Sequence, residues 1–453
     1  MTYRFKVEAL YLLGFSLDLI NMFIANVAYP AMATDLGASV QQLAWVGNAY
    51  MLGLALVIPL ALWLSVRWGE RRLLCVSLAS FTLGALLASQ ASTITGLIGW
   101  RFLQGLGGGL LIPVGQALAY RHCPPADRAR MTARIMAVAL LVPALAPTLG
   151  GFLVTAGSWR SVLLVSVPPG LAALALAATW IRAESRPSQD FSLDVAGLLL
   201  GSLGIGLLLV SLSLLTDAAS RPAGVVAAVA ATVVLLGYAR ASARARHPVL
   251  QWSLLRHASL RTAMLIYLLV PGTFIGTQLV ATLRLHQLGY SAEAIGMLMV
   301  PWACASAVAI AITRHVVTRV GPRVLLTFGM LFQSAGIASL PWVGAAQPVF
   351  AAFAFVLMGL GGSLCSSTAQ ILAFQRLSPD EMLAGSSLWN INRQLSFCLV
   401  AAVLACVLGV LSVSLAQAAF ALTLWLASTL TLLPMLLIWR LPPASLSLNE
   451  HPT

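Results

Sequence analysis

The sequence is nearly without lysine. Lys6 is the only one among 26 basic residues, so the other 25 are arginine. A phosphate-cradling GxxxxGK[ST] loop needs a lysine behind its glycine, and Lys6 follows Phe5, so an ATP-binding loop of that kind is excluded. Charge of either sign is scarce: 9% of residues are Asp, Glu, Lys or Arg, and only 13 are acidic. A soluble protein carries roughly 25%. Of the six histidines (122, 247, 257, 286, 315 and 451), none falls in the middle of an apolar run, which leaves little for an intramembrane enzyme built on a nucleophile–base pair or a metal. Six cysteines are present without a CxxC pair or His/Cys ligand spacing. Neither disulfides, nor a metal site, nor any other cofactor is expected. Five cysteines fall in apolar segments and Cys123 in a predicted cytoplasmic loop, where thiols pack as small hydrophobes.

What fills the chain is hydrocarbon. Of its 453 residues 60% are hydrophobic, and the mean hydropathy is +0.92. Apolar segments fall near 9–30, 43–65, 72–91, 95–119, 131–155, 160–181, 192–215, 222–239, 261–283, 294–314, 324–343, 349–373, 386–411 and 416–440. Runs of ~18 or more apolar residues read as membrane helices. The expectation is therefore an all-α integral membrane protein with fourteen transmembrane helices and no large soluble domain. The first segment is too long for a secretory signal and carries Asp18 in its middle, so it reads as a permanent helix.

An even number of spans puts both termini on one side. If that side is the cytoplasm, 21 of the 26 basic residues lie there, among them Arg4, Arg67, Arg71, Arg121, Arg128, Arg319, Arg323 and Arg440. The opposite loops ATDLGASVQQ (33–42), SQASTITG (89–96) and GAAQP (344–348) carry none. This is the positive-inside asymmetry, and it accounts for the net charge of +13 without a nucleic-acid partner.

The chain also repeats itself. VRWGERR (66–72) returns as TRVGPRV (318–324), and QGLGGGL (104–110) returns as MGLGGSL (358–364), offsets of 252 and 254 residues. At ~31 residues for each helix with its connection, such an offset spans about eight helices, two more than a six-helix half. The reading is a 6+2+6 arrangement: residues 1–185 as an N-terminal six-helix half, 186–245 as two inserted helices, 246–445 as a C-terminal half, and 446–453 as a short cytoplasmic tail.

In this order and spacing the chain resembles the major facilitator superfamily, and within it the fourteen-helix drug:proton antiporter family. The resemblance is carried by IANVAYP, ATDLGAS and WVGNAY (24–50), RFLQGLGGG (101–109), APTLGG (146–151), SWRSVLLVSVPPG (158–170), LDVAG (193–197), HPVLQWSLLRHASLR (247–261) and LGYSAEAIGMLMVPW (288–302). It covers nearly the whole chain. It implies the major facilitator fold, alternating access between two halves, and export of lipophilic compounds coupled to protons. The chain departs from the pattern in places. The acid usual before Arg-x-Gly in the loop after the second helix is Val66, and Thr318 in the second copy. Ala146 replaces a usual glycine, and Ser166 a usual asparagine.

The helix-1 acid of that family falls at Asn21, and Asp18 stands three residues earlier. At 100° per residue the two lie about 60° apart on one face. Asp18 is the sole acid well inside a predicted span, where an ionised carboxylate is costly and marks a functional site by default. Asp18 and Arg101 are the expected proton-coupling pair. Asn21, Asn26, Gln104, Gly105, Pro147, Gly150, Gly151, Gln278, Trp302 and Asn390 are expected at the substrate cavity or its gates, with the prolines and glycines of 143–151 letting the fifth helix bend. Arg67, Gly69, Arg71, Arg319, Gly321 and Arg323 are expected in cytoplasmic gating loops, holding headgroups or helix C-termini. Arg393, with Asn390 and Gln394 near a cytoplasmic helix end, is expected at a headgroup or loop.

The function expected is proton-coupled export of small lipophilic compounds, in the bacterial inner membrane, by a monomer that works alone or with periplasmic or outer-membrane partners. The alternative is a dedicated exporter or facilitator of one endogenous metabolite, such as a siderophore or another anionic or zwitterionic solute, for which Arg101 leaves room.

Overall fold

The structure, a computed structural model, describes residues 2–38, 40–182, 194–215, 220–244, 251–290, 292–344, 347–415 and 418–440. Arg186 and Arg246, two of the 21 basic residues expected on the cytoplasmic side, the loop around 186–193 and the tail at 446–453 lie outside these residues, as do the side chains of Asn26 and Pro147. All regular structure among the described residues is helical. The chain runs α1 (Tyr3–Leu36), α2 (Val40–Val57), α3 (Ala61–Trp68), α4 (Glu70–Ser89), α5 (Ile94–Arg121), α6 (Arg128–Ala156), α7 (Trp159–Leu164), α8 (Val167–Trp180), α9 (Val195–Leu215) and α10 (Arg221–Arg244). It continues with α11 (Ala258–Gln287), α12 (Ala292–Met297), α13 (Met299–Val320), α14 (Pro322–Ser339), α15 (Pro348–Gln375), α16 (Met382–Ser414) and α17 (Ala419–Arg440). Among the described residues eleven helices are long and apolar enough to cross a membrane, and Trp45–Leu60 and Ala196–Leu208 are shorter apolar stretches.

Two of the helix breaks carry proline. The 3₁₀ turn Ile58–Leu60, with Pro59 at its start, separates α2 from α3. Pro168 and Pro169 open α8, where a missing N–H costs nothing. The first helix is longer than the apolar stretch 9–30, running from Tyr3 to Leu36, where Gly37 caps it in the left-handed region.

With lipid outside, burial of apolar surface does little to join helices, so small residues set the contacts. A Cβ on Gly105 would overlap the backbone carbonyl of Tyr50, and one on Gly107 would overlap Phe81. The second copy repeats this: Gly359 lies against the carbonyl of Trp302, and Gly361 against Gln333. Gly69 and Gly321 take the same backbone shape, φ +79 with ψ 151 and φ +86 with ψ 154, in the two matching loops. The left-handed φ confines both positions to glycine. α9 and α10 pack on each other, and α9 leans on α2 and α16, with Ser202 Oγ donating to the carbonyl of Leu56 at 3.0 Å.

Candidate functional site

Helices α1, α2, α5 and α8 meet around one buried polar cluster. Asn21 is its hub. Its amide nitrogen donates to the carbonyl of Leu17 at 2.9 Å and to Ser166 Oγ at 2.7 Å. Its side-chain oxygen accepts from Gln104 Nε2 at 2.7 Å and from Arg101 Nη1 at 3.4 Å. Arg101 also donates to Gln104 Oε1 at 2.7 Å, to the Asn21 carbonyl at 3.1 Å and to the Val46 carbonyl at 3.3 Å. Arg101 and Gln104 sit three residues apart on α5, so one helix face carries both. The cluster is dry: Arg101 is 1% exposed, Asn21 and Gln104 0%.

The pair Asp18–Arg101 is not in direct contact. Tyr50 on α2 stands between them. Its hydroxyl donates to Asp18 Oδ1 at 2.5 Å, and the Arg101 guanidinium lies over its ring at 4.4 Å. Gly105 and Gly108 make this possible, because their bare faces let the Tyr50 backbone and hydroxyl come close to α5. Asp18 is 3% exposed, and the positive charges facing it are Arg393 and Arg101. A carboxylate there exchanges a proton only with what reaches it through the bundle, which makes its charge a function of conformation.

Sequence reasoning missed Tyr50 and the use of Ser166, although both lie in stretches that carried the family resemblance. Ser166, where asparagine is usual, meets Asn21, where an acid is usual. A hydroxyl oxygen gives the Asn21 amide an acceptor, so the two departures are partners.

Arg393 overturns its sequence assignment. It sits at neither a headgroup nor a loop. It is 9% exposed inside the bundle, with its guanidinium 5.3 Å from the ring of Phe15 on α1. The reason is the length of α16, which begins at Met382 and so places Arg393 three turns into the helix.

At the arginine-rich end of the bundle the two repeats are bound together. Gln116 Oε1 on α5 accepts from Asn390 Nδ2 at 2.8 Å and from Ser386 Oγ at 2.9 Å. Gln370 Nε2 donates to the Tyr120 hydroxyl at 3.1 Å. Arg128 Nη1, at the start of α6, donates to the carbonyls of Phe374 and, at 2.8 Å, Gln375, the last residues of α15. Arg121 Nε donates to the Pro379 carbonyl at 3.1 Å while its Nη1 pairs with Glu70 at 2.8 Å. Glu70 is an acid four residues beyond Val66, buried beside Gly69, and sequence reasoning did not single it out.

The loop positions are mixed. Arg71 donates to the Ala178 carbonyl in the last turn of α8, as expected of a basic residue at a helix C-terminus. Arg67 lies over Trp63 at 5.4 Å and Arg323 over Trp439 at 5.5 Å, while Arg319 is exposed. Gln278 and Trp302 form a separate group: Gln278 Nε2 is 2.9 Å from Met299 Sδ, and Trp302 stacks on Phe274 at 5.1 Å. Among the described residues neither bonds to the Asp18 cluster. Gly150 is buried and Gly151 half-buried on α6. Carrying the offset of 252 across, Asp18, Asn21 and Tyr50 correspond to Val270, Thr273 and Trp302; with 254, Arg101 and Gln104 correspond to Phe355 and Met358. These counterparts in the second copy are uncharged, so Asp18, Tyr50 and Arg101 have no ionisable equivalents there.

Residues 11–401 match the Major Facilitator Superfamily. The chain belongs to that superfamily. It is 31% identical over 382 residues to a multidrug resistance protein B homolog of Mycobacterium tuberculosis, covering 83% of this chain and 71% of that protein. It is 30% identical over 414 residues to a putative multidrug resistance protein, MdtD, of Cronobacter sakazakii, covering 87% and 84%. In fold it is similar to the human organic anion transporter MFSD10, with a TM-score of 0.71 at 16% identity over 97% of this chain and 100% of that one. It is also similar to the proton:xylose symporter XylE, with a TM-score of 0.68 at 14% identity over 99% and 98%. This superfamily member is a multi-pass membrane transporter and not an enzyme, and its substrates are small molecules.

Proposed function

We propose that the protein exports small lipophilic compounds from the bacterial cytoplasm across the inner membrane in exchange for protons. Fourteen helices cross in a 6+2+6 arrangement, with both termini cytoplasmic and α9–α10 outside the moving core. The apolar stretches, the paired glycine contacts of the two repeats and the lateral seat of α9 support this arrangement. The arginine-rich end is then the cytoplasmic end, and the bonds of Gln116, Arg121, Arg128 and Gln370 hold it shut in the conformation described. Access alternates as those bonds break and the halves rock apart.

The observation that carries the reading is Asp18: a buried carboxylate bonded to Tyr50, on the face of α1 that also bears the Asn21–Arg101–Gln104 network. Protonation removes its charge and its pull on Arg393 and Arg101, so proton binding acts on the interface between the halves. The relatives named for multidrug resistance support export as the direction. The test is drug susceptibility across a broad panel in a host lacking its own pumps. The wild-type chain raises resistance to several lipophilic compounds and Asp18→Asn does not; equal resistance from both, at equal membrane levels, refutes the assignment. Arg393 favours a second reading, a narrower exporter of amphoteric solutes.

A further inference from the structure

Three arginines are buried among the described residues: Arg101, Arg128 and Arg393. Arg101 and Arg128 donate to several acceptors. Arg393 does not. Its Nε is buried with no hydrogen-bond partner, and its sole described contact of note is the face of Phe15. A guanidinium is a rigid fork of five donors suited to a carboxylate. A buried guanidinium nitrogen with no acceptor is costly, and a ligand carboxylate would satisfy it.

Its placement is held from both sides. Asn390, three residues before it, donates to Gln116, and Ser396, three residues after, donates to the carbonyl of Tyr267 at 2.7 Å. Phe15 lies three residues before Asp18 on α1, so the guanidinium is one helical turn from the carboxylate. Aromatic rings lie near the two groups: Tyr11 stacks on Phe15 at 6.0 Å, and Tyr267 meets Trp389 at 4.7 Å. The charged and titratable groups facing this place are Asp18 and Tyr11 from α1, Tyr50 from α2, Arg101 from α5 and Tyr267 from α11.

Three classes of ligand can be compared. A plain cation gains from ionised Asp18 but meets Arg393. A plain anion gains from Arg393 but meets ionised Asp18, so it binds best when Asp18 is protonated and would travel with the proton. A zwitterion satisfies both groups at once, and its cationic end requires the ionised Asp18, so proton and substrate exclude each other. The cation and the zwitterion both compete with the proton for Asp18 and so fit exchange, and of the two only the zwitterion also satisfies Arg393. We propose that the transported compound is an aromatic zwitterion, its carboxylate on Arg393 and its ammonium on Asp18. This rests on the proton-exchange reading and names the substrate class of that site.

The test uses the purified full-length chain in proteoliposomes and three fluorescent probes with one aromatic body: a piperazinyl-quinolone carboxylic acid, its methyl ester (cation only) and its N-acetyl form (anion only). The zwitterion binds tightest, by roughly 10- to 100-fold over either relative, the range of a charge-assisted hydrogen bond. Its affinity falls as pH falls through the titration of Asp18. Arg393→Gln lowers binding of the zwitterion and the anion by a similar factor without a matching loss for the ester, and Arg393→Lys keeps the charge preference in part. Equal binding of ester and zwitterion, or an equal loss of all three in Arg393→Gln, overturns the inference. If the ester still drives proton movement in that case, the exchange reading stands alone. If binding follows the charge order while no probe moves protons, the site stands and the exchange reading falls.

Discussion

Arg128 offers a direct handle on the closed gate. Its Nη1 bonds the Phe374 and Gln375 carbonyls, the exposed end of the α15 dipole, and the residue is only 7% exposed. A hydrogen bond to a charged group contributes about 1.5–3 kcal/mol, and a cation at a partly buried helix C-terminus up to ~2 kcal/mol. In the open state water reaches both partners and returns part of this. A net of about 3 kcal/mol for Arg128→Ala is a reasonable middle value, which shifts the closed-to-open ratio by roughly two powers of ten. The assay is maleimide labelling of Ala384→Cys in an otherwise cysteine-free chain, since Ala384 is 4% exposed on the first turn of α16 behind the gate. Labelling in Arg128→Ala rises steeply, and Arg128→Lys gives an intermediate rate. An unchanged rate in Arg128→Ala, with the protein folded, refutes the role of this bond in closure.

Further outcomes follow from the same geometry. Gly105→Ala drives a methyl into the Tyr50 backbone and costs about 1–3 kcal/mol, seen as a lower Tm in detergent, whereas Gly14→Ala, with open space around its Cβ position inside α1, does not lower Tm. The hydrogen bond from Arg4, 2.7 Å long, holds the Asp127 carboxyl below its ordinary value of 3.8. With the folded-state value depressed, this tether contributes at pH above the ordinary carboxylate range and fades as pH falls through the folded-state value. Asp127→Asn therefore flattens the acid limb of a Tm-against-pH curve; an acid limb identical to wild type argues against the tether.

Much of the architecture was legible in the sequence because lipid imposes it. Apolar runs, arginine asymmetry and the twice-repeated loop and glycine motifs each follow from one physical constraint. Asp18, Asn21, Arg101 and Gln104 could be singled out as expensive polar groups at membrane depth, and the structure brings them to one place. What sequence could not supply was who stands between them. Tyr50 is amphipathic and reads equally well facing lipid or core, so its bond to Asp18 was invisible. Arg393 was misplaced because the apolar run marked the helix as starting near 386, whereas α16 begins at Met382 and buries Arg393 against Phe15. Glu70 was passed over because the resemblance directed attention to Val66, the place of the missing acid, rather than to the acid four residues on.

The central claim is that Asp18 carries the exchanged proton. Purified protein in proteoliposomes with an enclosed pH dye, given a substrate identified by the susceptibility panel, measures it. The account predicts substrate-driven proton movement by the wild-type chain and none by Asp18→Asn at equal protein content. Substrate-driven proton movement that persists undiminished in Asp18→Asn contradicts it.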